Sequence, residues 1–156
     1  MLLNGELAEG DAGRLRDIIR ASLASGRPVS GIRLNAPGGS MLEGARLAAV
    51  IQNAKIATVV ASGATCAAAC FIAFVAGSQR FVSVSAMVGA PGAADKSGQE
   101  RAGEIPPIVR VVKELGLLDA IVDKMVNTRE GEIVWLTHDD LRAMGATMTG
   151  RPTQPR

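Results

Sequence analysis

Apolar positions recur along this chain in two rhythms, and the switches between them mark out strands and helices in turn. "MLLNGEL" (1–7) is short and apolar at both ends, which predicts a strand. "RLRDIIRASLAS" follows Asp11 and sets Leu15, Ile18, Ile19 and Leu23 at helical spacing, until Gly26 and Pro28 end the helix. "VSGIRLNA" (29–36) predicts the next strand and "PGGS" a tight turn. "MLEGARLAAVIQNA" then carries apolar side chains at 41, 42, 45, 48, 49 and 51, an amphipathic helix. "KIATVVA" predicts a strand, "SGAT" a turn, and "CAAACFIAFVAG" a largely buried helix.

The second half follows the same alternation. "QRFVSVSAMVGAP" predicts one continuing strand, and the polar "DKSGQERAGEIPP" a flexible loop. "IVRVVKELGLLDAIVDKMVN" is helical with a break at Gly116. "EIVWL" is a short strand, and "THDDLRAMGA" a helix capped by Thr137. Strand and helix in alternation signal βαβ units and a parallel sheet. The expected organisation is one α/β domain over 2–149, with the Pro-rich 150–156 as a disordered tail.

Composition narrows the function. Only 3% of residues are aromatic, which favours close packing of small side chains over a stacking surface for bases or sugars. Net charge is +2 with no basic run, which argues against nucleic acid or a charged membrane surface as partner. Residues 56–79 carry no charge over 24 positions, long enough to cross a bilayer. Ser62, Gly63 and Thr65 interrupt them, so the expectation is no membrane span. Two cysteines and one histidine do not make the usual four-ligand zinc site, and no metal or cofactor is expected.

Gly38 and Gly39 fall between a strand and a helix. Glycines there permit unusual φ values and let a ligand approach backbone N–H groups. The spacing is neither Gly-x-Gly-x-x-Gly nor a phosphate loop ending in Gly-Lys-Ser/Thr. On these residues alone, a turn made for packing remains an equal reading.

"LNAPGGSMLEGARLAAVI" resembles the Asn-Ser-Pro-Gly-Gly turn and following helix of the Clp protease proteolytic subunit (ClpP) family. "KIATVVASGATCAAACFIAFVAGSQRFVSVSAMVGAP" resembles that family's strand, nucleophile-bearing helix and next strand. "IVWLTHDDLRAMGAT" resembles its C-terminal strand and helix. The match is best to bacterial, often exported ClpP-like proteins that carry Cys-Ala-Ser-Ala-Cys around the nucleophile. The resemblance implies an α/β spiral of ββα units, the ClpP/crotonase fold, and a ring or trimer of identical subunits. It also implies a periplasmic or exported protein whose leader is absent from this chain; the alternative is the cytoplasm.

Carried onto this sequence, the family's serine is Ala68. Its base falls on Pro91, or on Gly89 in the other alignment, and its acid near Ile133, with Glu132 one residue away. A methyl, a proline ring and a glycine transfer no proton. The resemblance places the oxyanion donors on the N–H groups of Gly39 and Ala69, beside Gly38, at a helix start whose dipole favours negative oxygen.

No other residue reads as a replacement. Cys66 and Cys70, on a regular helix, point roughly 200° away from Ala68, behave as buried small hydrophobes and are ill placed for a mutual disulfide. His138 is expected in an exposed N-terminal turn. Ser40, Ser62 and Thr65 are ordinary hydroxyls without a base, and Asp95, Lys96 and Glu100 are loop charges. The expected function is therefore a pseudo-peptidase, with a peptide or protein ligand in a retained oxyanion cradle. One alternative is a serine endopeptidase silenced by a serine-to-alanine change at 68. Another is a crotonase-like acyl-CoA lyase or hydratase using Glu43 or Glu100, both of which read more easily as surface charge. The stripe Ile108, Val111, Val112, Leu115, Leu118 and Ile121 suits either a subunit interface or the chain's own sheet.

Overall fold

The computed structural model describes residues 1–94 and 105–151. The expected loop charges Asp95, Lys96 and Glu100, and tail residues 152–156, lie outside them. Two sheets form the framework. The larger is entirely parallel, in the order β1 (Leu2–Asn4), β2 (Gly31–Asn35), β3 (Ala57–Val60), β5 (Arg80–Ser83), β8 (Thr147–Thr149). The smaller joins β4 (Thr65–Ala67) in parallel to β6 (Met87–Pro91), and β6 antiparallel to β7 (Ile133–Trp135). Helices α1 (Asp11–Ala24), α2 (Met41–Ala54), α3 (Ala69–Val75), α4 (Pro107–Glu114), α5 (Asp119–Val126) and α6 (His138–Ala143) complete the layers.

The core is centred on α3, all of whose residues are buried, with Phe71 and Phe74 its largest side chains. An uncharged helix buried on every side is what its sequence, lacking a polar stripe, requires. Two expectations change. The predicted helix from Cys66 is a strand up to Ala67 and a helix only from Ala69. The predicted strand through 79–91 divides at 84–86, so that β5 and β6 serve different sheets. The helical segment over 108–127 breaks at Gly116 (φ +86°) as expected, into α4 and α5. Its apolar stripe packs largely on the chain itself, since Val112 and Ile121 are buried; Leu118 stays 40% exposed.

Glu43 is the clearest departure. Expected at the surface, it is 2% exposed, and its Oε1 accepts the Ala12 N–H at 2.7 Å. The reason lies in α1, whose N-cap is Gly10 and has no side chain to satisfy the first free N–H groups. A carboxylate from α2 does so instead, where the helix dipole favours it. Arg80 does the converse at helix ends, donating to the carbonyls of Val75 (3.0 Å), Gly77 (3.2 Å) and Met144 (2.8 Å).

Candidate active site and its substitutions

Two turns meet at the edge of the core. The first follows β2. Leu7 N–H donates to the Gly38 carbonyl (3.0 Å), and Ser40 N–H to the Leu7 carbonyl (2.9 Å), a one-residue parallel bridge. In such a bridge the middle residue, Gly39, turns its own N–H away from the neighbouring chain. Its φ is +119°, and a Cβ there would strike the Leu7 backbone, so only glycine fits. Ser40 then caps α2, its Oγ accepting the Glu43 N–H at 3.2 Å.

The second turn links β4 to α3 through Ala68, whose φ of 52° and ψ of −116° are rare for any residue with a Cβ. Its N–H donates to the Gly89 carbonyl (3.1 Å), and its carbonyl accepts the Phe71 N–H (3.0 Å). The chain thus reverses sharply from strand to helix with the Ala68 methyl at the apex, a sharp strand-to-helix elbow of the kind that presents a nucleophile in hydrolases. Gly44 in α2 lets the Ala69 carbonyl come close, which seats the start of α3 against α2. A Cβ on Gly38 would lie 3.8 Å from the Ala68 Cβ, so the two turns abut. Among the described residues, the N–H groups of Gly39 and Ala69 have no acceptor.

Cys66 and Cys70 are joined by a disulfide, Cα–Cα 5.2 Å, contrary to the expectation of two free thiols. The expectation assumed a regular helix through both. Because Cys66 belongs to β4 and the elbow intervenes, the two side chains converge inside the core. Neither thiol is therefore free to act as a nucleophile. His138 is exposed, with Nε2 3.1 Å from the Val84 carbonyl.

The matched base and acid positions stand together without titratable groups. Gly89 lies opposite Trp135, and Pro91 opposite Ile133, across β6 and β7. A Cβ on Gly89 would strike the Ile133 side chain and come within 3.0 Å of the Trp135 ring. Glu132, one position before Ile133, is exposed, and its carbonyl accepts the Gly92 N–H at 2.9 Å. Two of the nearby hydroxyls are engaged elsewhere: Ser62 with Ser85 (2.8 Å), Ser40 with the α2 cap.

This fold has counterparts of known structure. ClpP1 from Listeria monocytogenes superposes with a TM-score of 0.67 over 97% of this chain and 91% of its own, at 17% identity. The ClpP catalytic domain from Plasmodium falciparum gives 0.68 over 100% and 87%, at 12% identity. The chain has the ClpP-like fold. A membrane protease from Pyrococcus horikoshii, specific for a stomatin homolog, shares it at TM-score 0.67, 16% identity and coverage of 97% and 72%. No protein-family model and no curated protein matches the sequence, so the ClpP-like likeness is carried by the backbone. Among the described residues no helix is long and apolar enough to cross a membrane.

Proposed function

We propose that this chain is a catalytically silent ClpP-like protein that binds an extended peptide without cleaving it. One observation supports the reading: a methyl stands at the apex of a sharp elbow, beside the Gly39 and Ala69 N–H groups that have no acceptor among the described residues. A peptide carbonyl or terminal carboxylate accepts from Gly39 and Ala69, as an oxyanion does in a hydrolase. Pro91, Gly89 and Ile133 provide no base and no acid, so the carbonyl is held and not attacked. Removing the serine or histidine of a hydrolase triad costs roughly 10⁶ in rate, and both are missing here. A structure of the stomatin-specific protease, alike at TM-score 0.66 and 17% identity, is a complex with a substrate peptide, which supports the choice of ligand.

Apolar side chains flank the site. Met41 and Leu42 open α2 just after Gly39, and Met87 and Trp135 are about half exposed on the small sheet. A peptide with apolar residues beside the docked carbonyl suits that surface. The lyase reading loses Glu43 as its acid, because that carboxylate is committed to α1, and its other candidate, Glu100, lies outside the described residues. The Cys66–Cys70 bond favours an oxidising compartment, in keeping with export. The test is a mixed oligopeptide pool incubated with the protein. Mass spectrometry should find no cleavage, and capture on immobilised protein should enrich a subset of the pool. Cleavage would overturn the reading, as would capture that persists after Gly39→Ala.

A further inference from the structure

A small covalent ring encloses the turn on which the donors depend. The Cys66–Cys70 bond spans Ala67, Ala68 and Ala69, and the strained residue is the middle one. An alanine has no intrinsic preference for φ 52°; its Cβ crowds the backbone there, whereas glycine takes such values freely. The three enclosed residues carry only methyl groups, so no larger side chain within the ring pins the turn. Cys66 is also bridged to Ala36, two residues before Gly38. The same cysteine thus belongs to the scaffold of both donor turns.

We propose that the Cys66–Cys70 disulfide is a lock that holds Ala68 in its left-handed turn, so that the Gly39 and Ala69 donors are set only in the oxidised chain. Its consequence for peptide binding rests on the function proposed above; the lock itself does not. Opening it consumes two electrons and two protons. A dithiol reductant supplies both, closes its own disulfide and leaves two free thiols. Both cysteines are fully buried, so attack on either sulfur waits for the turn to open. The state of the lock is therefore set as the chain folds, and follows the compartment in which it folds.

The test compares amide exchange in the oxidised protein, in Cys66→Ala/Cys70→Ala, and in that variant with Ala68→Gly added. The reporters are the Phe71 amide, bonded to the Ala68 carbonyl within the turn, and the Ala68 amide, bonded to the Gly89 carbonyl where the β4–β6 ladder runs into it; the Thr58 amide, bonded to the Gln79 carbonyl, is the reference. Expected is acceleration of both reporters by at least about tenfold in the double variant, with Thr58 unchanged and protection restored by Ala68→Gly. Unchanged reporters would overturn the lock. So would equal acceleration at Thr58, which marks global loosening, or failure of glycine to rescue. Titrating captured peptides against the same three proteins separates the two ideas. Reporters that behave as expected with no peptide bound to the oxidised protein would leave the lock standing and remove the peptide.

Discussion

Pro91 and Ile133 face one another across the antiparallel pair of β6 and β7, so the positions matched to a base and its orienting acid are direct neighbours, and both are apolar. Gly89 extends the pattern, because the Ile133 and Trp135 side chains fill the space that a larger residue there would use.

A serine at the apex is therefore insufficient. Ala68→Ser restores a hydroxyl on the elbow but gives it nothing to take its proton, and is expected to leave the peptide pool uncleaved. Mass spectrometry over long incubation checks this. Turnover in that single variant would mean that a base exists which the geometry at Gly89, Pro91 and Ile133 does not supply.

Gly39→Ala introduces a methyl against the Leu7 backbone at a φ of +119°. Adopting that conformation with a Cβ costs on the order of 1–3 kcal/mol, before any steric displacement. The urea midpoint should fall accordingly, and peptide capture should fall with it. The contrasting change is Gly63→Ala, where φ is also positive but no atom lies within 4 Å of the added Cβ, which should cost stability and spare capture.

Glu43 offers a stability test remote from any ligand. Glu43→Ala leaves the Ala12 N–H without its acceptor in a buried setting, an expected loss of about 1–3 kcal/mol in unfolding free energy. Glu43→Gln keeps a carbonyl oxygen for that N–H and should cost less. Equal melting points for the two variants would show that the carboxylate charge, and not the hydrogen bond, is what α1 requires.

Asp140 makes the fold acid-sensitive in a defined direction. Burial alone pushes its carboxyl up, but hydrogen bonds from Lys124 and from Thr137, with the Lys124 charge, hold it below the ordinary range. A carboxyl lowered on folding stabilises fully above its unfolded value, about 3.9, and loses that contribution as pH falls through the folded value. Thermal unfolding of the wild type and Asp140→Asn should differ at pH 6 and converge as pH falls through the lowered folded value. A gap that stays constant with pH would assign the effect to the helix cap alone.

The local parts of this fold were legible in the sequence. The alternation of elements, the turn at Gly38 and Gly39 and the Thr137 cap each follow from neighbours in the chain. What escaped depends on distant partners. Cys66 and Ala67 head an alanine-rich run that reads as helix, and belong to a strand because β6 and Ala36 pair with it. The cysteine pairing hid behind that error, since helical spacing ceases to apply once one cysteine is on a strand. Glu43 read as solvent-facing because its partner, Ala12, is 31 residues away. The break between β5 and β6 contains neither glycine nor proline, and the serine hydroxyls that hold it (Ser83 and Ser85 with Ser62) are recognisable only in three dimensions.

Sheet order also governs how this chain is born. β5 lies between β3 and β8, so the strand at 80–83 waits for the one at 147–149 before its second edge is covered. Arg80 waits likewise for the Met144 carbonyl. During synthesis the second edge of β5 therefore stays open and aggregation-prone until β8 has left the ribosome. A nascent chain halted before β8 should be a client for chaperones, and emergence of β8 the event that covers β5.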